Sequence, residues 1–110
     1  MRCQKLFEKG CIGGVEIRNR VAMTAMGNGL ASWDGEVSLE LIRFYEDRAR
    51  GGCGLIFTEF TRMDETSGAC NPNQLCIATR KHIRSTERVR CHGARIFVQL
   101  YHGGRETLSV

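Results

Sequence analysis

The sequence predicts an α/β fold built on parallel strands, and three observations predict it. A near-continuous apolar run, Gly54-Leu55-Ile56-Phe57-Thr58-Glu59, has the pattern of a strand buried on both faces. Helical apolar spacing follows Ser38 and a shorter helix is read over 81–92. The order is a hairpin followed by β-α-β-α-β, and strands alternating with helices argue for right-handed crossovers. At this level a doubly wound sheet and a barrel both remain open.

Taken in order, residues 5–20 read as a small antiparallel ribbon. Cys11-Ile12 and Val15-Glu16-Ile17 flank Gly13-Gly14, a plausible hairpin turn. Asn19-Arg20 leads into Val21-Ala22-Met23-Thr24, a short apolar run that suits a buried strand. Gly27-Asn28-Gly29 breaks that run, and 27–37 reads as a loop. Ser38 is a good N-cap. Leu39, Ile42, Tyr45 (or Phe44) and Ala49 then mark an apolar stripe, with Glu40/Arg43 and Asp47/Arg50 paired on the exposed face. Gly51-Gly52 ends the helix, because glycine reaches the left-handed conformation without strain. After the strand at 54–59, residues 61–79 read as a long loop, a class that is usually functional or disordered. The helix over 81–92 has a weak apolar face, Ile83 and Val89, and His92-Gly93 closes it. Residues 94–100 form the third strand.

Composition excludes several classes. With 42% hydrophobic and 25% charged residues, the chain can bury a core and is not disordered. The net charge of +4 comes mostly from Arg80, Lys81, Arg84, Arg88, Arg90 and Arg95. No aromatic residues interleave with them, so they read as a solvated helix face rather than a nucleic-acid site. No apolar stretch approaches the roughly 20 residues of a membrane span. Met1 to Cys11 lacks the apolar segment of a signal peptide, so the expected location is the cytoplasm. The six cysteines then read as free thiols in a reducing compartment. Cys70, Cys76, His82, Cys91 and His92 match no standard zinc spacing, and no metal site is expected. Gly27-Asn28-Gly29 lacks the third glycine of a dinucleotide fingerprint and no helix opens at once behind it.

Three stretches decide between the two architectures. Leu6-Phe7-Glu8 with Ile12 to Arg20 resembles the opening of the old yellow enzyme family. Gly35-Glu36-Val37, continuing through Arg48-Ala49-Arg50-Gly51-Gly52-Cys53 to Glu59, resembles its first helix and second strand. Phe97-Val98-Gln99-Leu100-Tyr101-His102-Gly103-Gly104-Arg105 resembles the end of its third strand. The likeness runs from about Leu6 to Thr107. It is nearest to the branch of 2,4-dienoyl-CoA reductases, 2-enoate reductases and bile-acid-inducible flavin reductases.

The resemblance implies an FMN-bearing TIM (β/α)₈ barrel, of which residues 1–110 would be the N-terminal portion: a hairpin and about three β/α units. A complete barrel needs roughly 250 residues, so this stretch is expected to be incomplete. In the family NADH or NADPH reduces FMN, which passes hydride to an activated C=C bond of a small molecule such as an enoate, an enoyl-CoA or a steroid-like acid. A 4Fe–4S cluster and FAD belong to later parts of the branch's chains, and none of the cysteines here is assigned to them. Barrel active sites lie at the C-terminal ends of the strands. The expected FMN contacts are therefore Thr24, Ala25, Met26 and Gly27 after strand one and Gln99 at the end of strand three. The Gln99 amide has both donor and acceptor capacity, which suits the pyrimidine edge of the flavin. Glu59 ends strand two, as a site carboxylate or as the holder of a neighbouring loop. Phe60 reads as packing, and His102 as structural, with Arg105 anchoring a loop.

The chain departs from the family at Ala25, where many members have proline. It departs again at Gly27, where some members have a cysteine or threonine that tunes the flavin. The helix at 83–92 is about one turn shorter than in relatives. The proton donor and the phosphate site are expected in later strands. The isolated 110 residues are therefore expected to show no turnover and weak or absent FMN binding. The alternative expectation is an inactive remnant or interaction fragment, paired with the missing barrel half or with a second copy.

Overall fold

The computed structural model describes residues 3–78 and 85–107. Helix α1 (Gln4–Phe7) is a single turn that the sequence does not announce. Strands β1 (Gly10–Ile12) and β2 (Val15–Ile17) pair antiparallel about Gly13, whose φ of 57° is the left-handed geometry a tight hairpin needs. Strand β3 (Ala22–Met23), helix α2 (Leu39–Arg50), strand β4 (Leu55–Arg62), helix α3 (Ser85–Arg90) and strand β5 (Arg95–Tyr101) follow. A 3₁₀ turn covers Gly104–Glu106. The sheet order is β3-β4-β5 and both pairings are parallel. The β-α-β-α-β reading therefore holds.

Helix α2 starts as its sequence dictates. The Ser38 hydroxyl accepts the Leu41 N–H at 3.0 Å and donates to the Leu30 carbonyl. Its buried stripe, however, is Leu41, Tyr45 and Ala49 with Glu46, while Leu39 is 70% exposed. Leu39 and Leu41 lie about 200° apart around a helix, so only one of them can face the sheet. Bonds to residues outside the helix set that rotation: Ser38 to Leu30, and the Tyr45 hydroxyl to the Glu59 N–H at 2.8 Å. Arg50 pairs with Asp47 at 3.7 Å, as expected, and with Glu46 at 3.6 Å. No Glu40–Arg43 ion pair forms among the described residues. At the helix end Gly51 stays helical and Gly52 takes the positive φ, 111°.

Strand β4 is longer than expected. It runs through Thr61 and Arg62, and its side chains are buried on both faces. The loop after it returns to pair with it. Arg62 N–H donates to Leu75 O and Ile77 N–H to Arg62 O, each at 2.9 Å. This closure supplies backbone partners that polar residues at 61 and 62 do not advertise in sequence. The core lies between the sheet and the two longer helices, on Leu41, Tyr45, Ala49, Ile56, Leu75, Val89 and Ala94. Val89 is fully buried, as its place in a weak apolar face suggests. Arg80, Lys81, His82, Ile83 and Arg84 lie outside the described residues.

Candidate functional site

The register of the sheet assembles the site. Met23 pairs with Ile56, and Ile56 pairs with Ile96, so these residues stand at one level. Moving toward the carboxyl ends, Phe60 pairs with Gln99. Two steps on β5 match three on β4, because Phe57 faces Phe97 and an extra residue bulges between Phe57 and Phe60. Hydroxyl groups satisfy the bulge. Thr61 Oγ1 donates to Glu59 O at 2.7 Å, Thr58 Oγ1 to Glu59 O at 3.1 Å, and Gln99 N–H reaches Thr58 Oγ1 at 3.4 Å.

Gly27 completes the row on the other side. A Cβ placed there would stand 2.5 Å from Phe60 Cε1 and 3.0 Å from Cζ. Gly27, Phe60 and Gln99 thus form a line across the carboxyl ends of three parallel strands. The Phe60 ring also meets Tyr101 edge-on, with centroids 5.2 Å apart. Phe60 packs, as read from the sequence, but what it packs on is Gly27 and Tyr101.

The polar groups along this row are open. Gln99 is exposed, and its side-chain amide makes no hydrogen bond among the described residues. The backbones of Ala25, Met26 and Gly27 likewise form no backbone hydrogen bond there, and Met26 is 55% exposed. Peptide groups and a carboxamide without protein partners among the described residues, beside an aromatic wall, fit the polar edge of a flat heterocycle. The residues present therefore fit a flavin.

Behind the row lies Glu59, 1% exposed. Its Oε2 accepts the Asn28 N–H at 2.8 Å, while Oε1 is buried without a hydrogen bond of its own. Burial pushes this carboxyl above its ordinary value, and the Asn28, Gly29 and Leu75 N–H groups oppose that shift. Of the two roles open from sequence, the geometry places Glu59 under the 27–29 loop. Tyr45 joins the same network, bonding Glu59 N–H at 2.8 Å and Asn28 Nδ2 at 3.5 Å. Burial raises its phenol to about 12.

Sequence reasoning missed Arg62. It is 3% exposed and donates to Glu65 O at 2.7 Å and Asp34 O at 3.2 Å, tying both long loops to the end of β4. Gly35, at φ 86°, makes room for it: a Cβ there would meet Cys76 Cβ at 2.7 Å and Arg62 Nη2 at 3.1 Å. The only signal in sequence was a polar continuation of an apolar strand. His102 Nδ1 accepts Gly104 N–H at 3.0 Å, and its ring lies where a Cβ on Gly68 would stand. Arg105 is exposed and holds no loop among the described residues.

The opposite end of the sheet is a structural seal. Arg18 donates to the carbonyls of His92, Ala49 and Cys53, and Asn19 Nδ2 to Gly52 O at 2.7 Å. Nearby, Glu46 receives His92 Nε2 at 3.1 Å and Arg88 at 3.5 Å. Glu46, Cys91 and His92 hold ligand-type atoms within 4.8 Å of one another. Two arginines already compensate the carboxylate, so this group ties α2, α3 and the turn before β5 together. Arg88 and Arg95, part of the basic run, are engaged with Glu46 and the Glu16 carbonyl. No helix among the described residues is long and apolar enough to cross a membrane.

Comparison with known proteins agrees with this geometry. The sequence profile of the NADH:flavin oxidoreductase / NADH oxidase family matches residues 5–109. The NADH oxidase of Thermoanaerobacter brockii is 42% identical over 106 residues, covering 93% of this chain and 16% of the relative. The cinnamate reductase of Clostridium sporogenes is 37% identical over 108 residues, 89% of this chain and 16% of that protein. The chain thus spans about a sixth of the length of these relatives. The old yellow enzyme from Trypanosoma cruzi superposes with a TM-score of 0.80 at 28% identity, over 94% of this chain and 28% of that one. The β3-β4-β5 sheet is accordingly part of a TIM barrel.

Proposed function

The chain belongs to the NADH:flavin oxidoreductase / NADH oxidase family, the old yellow enzyme family, and from that premise we propose that it forms the pyrimidine-side wall of an FMN site. The observation that carries this reading is the row Gly27–Phe60–Gln99 at the carboxyl ends of the parallel strands. That is the end where barrel enzymes keep their active sites. Gln99 would bond the pyrimidine edge through its carboxamide. The backbone groups of Thr24, Ala25, Met26 and Gly27 would border the same ring. Bound there, FMN would supply the hydride-transfer chemistry between NADH or NADPH and an activated C=C bond. This wall would orient the flavin and shield one side of it, while Glu59 and Arg62 hold the loops that do so. The proton donor and phosphate site belong to later strands of the barrel, and the substrate is a small molecule.

The test is a chimera. Residues 1–110 replace the matched segment of the Thermoanaerobacter brockii NADH oxidase. The expected product retains flavin and oxidises NADH. Gln99→Leu in it weakens flavin binding about tenfold, the worth of about one lost hydrogen bond. A folded chimera without flavin, or an unchanged flavin affinity in the leucine variant, overturns the reading. The 110-residue chain alone is expected to show no turnover and little FMN binding. Tight stoichiometric FMN in it would contradict that expectation.

A further inference from the structure

Phe60 stands between the two sets of residues assigned to the flavin, and its ring fills the space that a side chain at position 27 would take. A Cβ on Gly27 would lie 2.5 Å from Phe60 Cε1, closer than real Cβ atoms approach anything. The ring is half-buried and would have to move to admit it. It also meets Tyr101 edge-on at 5.2 Å between centroids. Its own backbone is held on both sides: Phe60 is in register with Gln99, and Phe60 O accepts Gln74 Nε2 at 3.3 Å from a side chain only 3% exposed. Gly27, Phe60 and Tyr101 therefore form a size-matched unit. A group added at 27 must displace the Phe60 ring and so disturb its contact with Tyr101, two residues along β5 from Gln99.

We infer that Phe60 is a positioning residue of the flavin site, acting as the wall that excludes any side chain at position 27 and keeps Tyr101 in place beside Gln99. This inference rests on the flavin reading above and goes beyond it, since it assigns a role to two residues that reading leaves as packing. The Phe60 ring itself offers no hydrogen-bond donor, so polar contacts in the row come from its neighbours.

The experiment is a size-exchange cycle with two readouts. Gly27→Ala, Phe60→Ala and the double variant are made in the chain and in the flavin-loaded chimera. Thermal unfolding of the chain needs no flavin. Gly27→Ala is expected to lower the midpoint, and Phe60→Ala is expected to remove that penalty, so the two changes are non-additive. In the loaded protein, the visible circular dichroism of the flavin is expected to change in Gly27→Ala, with severalfold weaker flavin retention. The double variant is expected to recover part of both. Additive stability effects overturn the steric unit. Non-additive stability with an unaltered flavin spectrum and affinity overturns the positioning role and leaves the flavin reading intact. A folded parent chimera that binds no flavin overturns the flavin reading and this role together.

Discussion

Glu59 shows what one buried carboxyl can do without a cation beside it among the described residues. Burial raises its affinity for a proton, and the Asn28 N–H opposes that by bonding the ionised form. Because the folded pKa lies above the ordinary 4.5, the folded state binds the proton more tightly than the unfolded one. The contribution to stability is then fullest at low pH and falls as pH rises through the folded pKa. Glutamine keeps an acceptor for Asn28 and carries no charge. Glu59→Gln is expected to gain stability relative to the parent as pH goes from 4 to 8, measured by urea unfolding at each pH. A constant or shrinking difference would contradict the buried-acid account. Gly27 makes a separate point at this scale. Its absent side chain looks in sequence like a lost contact, but in the structure it is the space that Phe60 fills.

At the scale of elements, α2 was legible from its cap and its ends, and its orientation was not. Ser38 and the paired glycines are local signals, because capping involves residues three or four apart. The rotation that buries Leu41 and Tyr45 rather than Leu39 depends on bonds to Leu30 and Glu59, which lie outside the helix and carry no periodic signal. Tyr45→Phe isolates the second of these. It leaves the buried Glu59 N–H without its partner and is expected to cost about 1–3 kcal/mol, measured as the shift in denaturant midpoint. A loss within a few tenths of a kcal/mol would mean the hydroxyl does not hold the helix. The same distinction explains β4. Its apolar first half was readable, and its end at Arg62 was not, because Leu75 and Ile77 supply the pairing from thirteen and fifteen residues away.

At the scale of the molecule, β3 and β5 each have one strand neighbour among the described residues, and β5 carries Leu100 at 59% exposure. Open parallel edges with apolar side chains invite association. The 110-residue chain is expected to self-associate as concentration rises, and Leu100→Lys is expected to shift it toward the monomer in sedimentation velocity runs. A monomer at all concentrations, in both forms, would show that the open edges do not drive pairing.

Local signals were enough for the hairpin at Gly13, the cap at Ser38 and the β-α-β-α-β order that follows, and short motifs carried the family and hence the barrel, while the turn at Gln4–Phe7 left no such signal. The sequence also named Thr24 to Gly27 and Gln99 as a group at strand ends. Those features depend on local backbone preference, apolar periodicity and short motifs. Only the tertiary structure decided that Phe60 lies on Gly27, that Glu59 holds the 27–29 loop, that Arg62 ties two loops together and that a bulge brings Phe60 level with Gln99. These depend on register and packing between residues 28 to 39 positions apart or on loop closure, and such contacts leave no periodic trace in the chain.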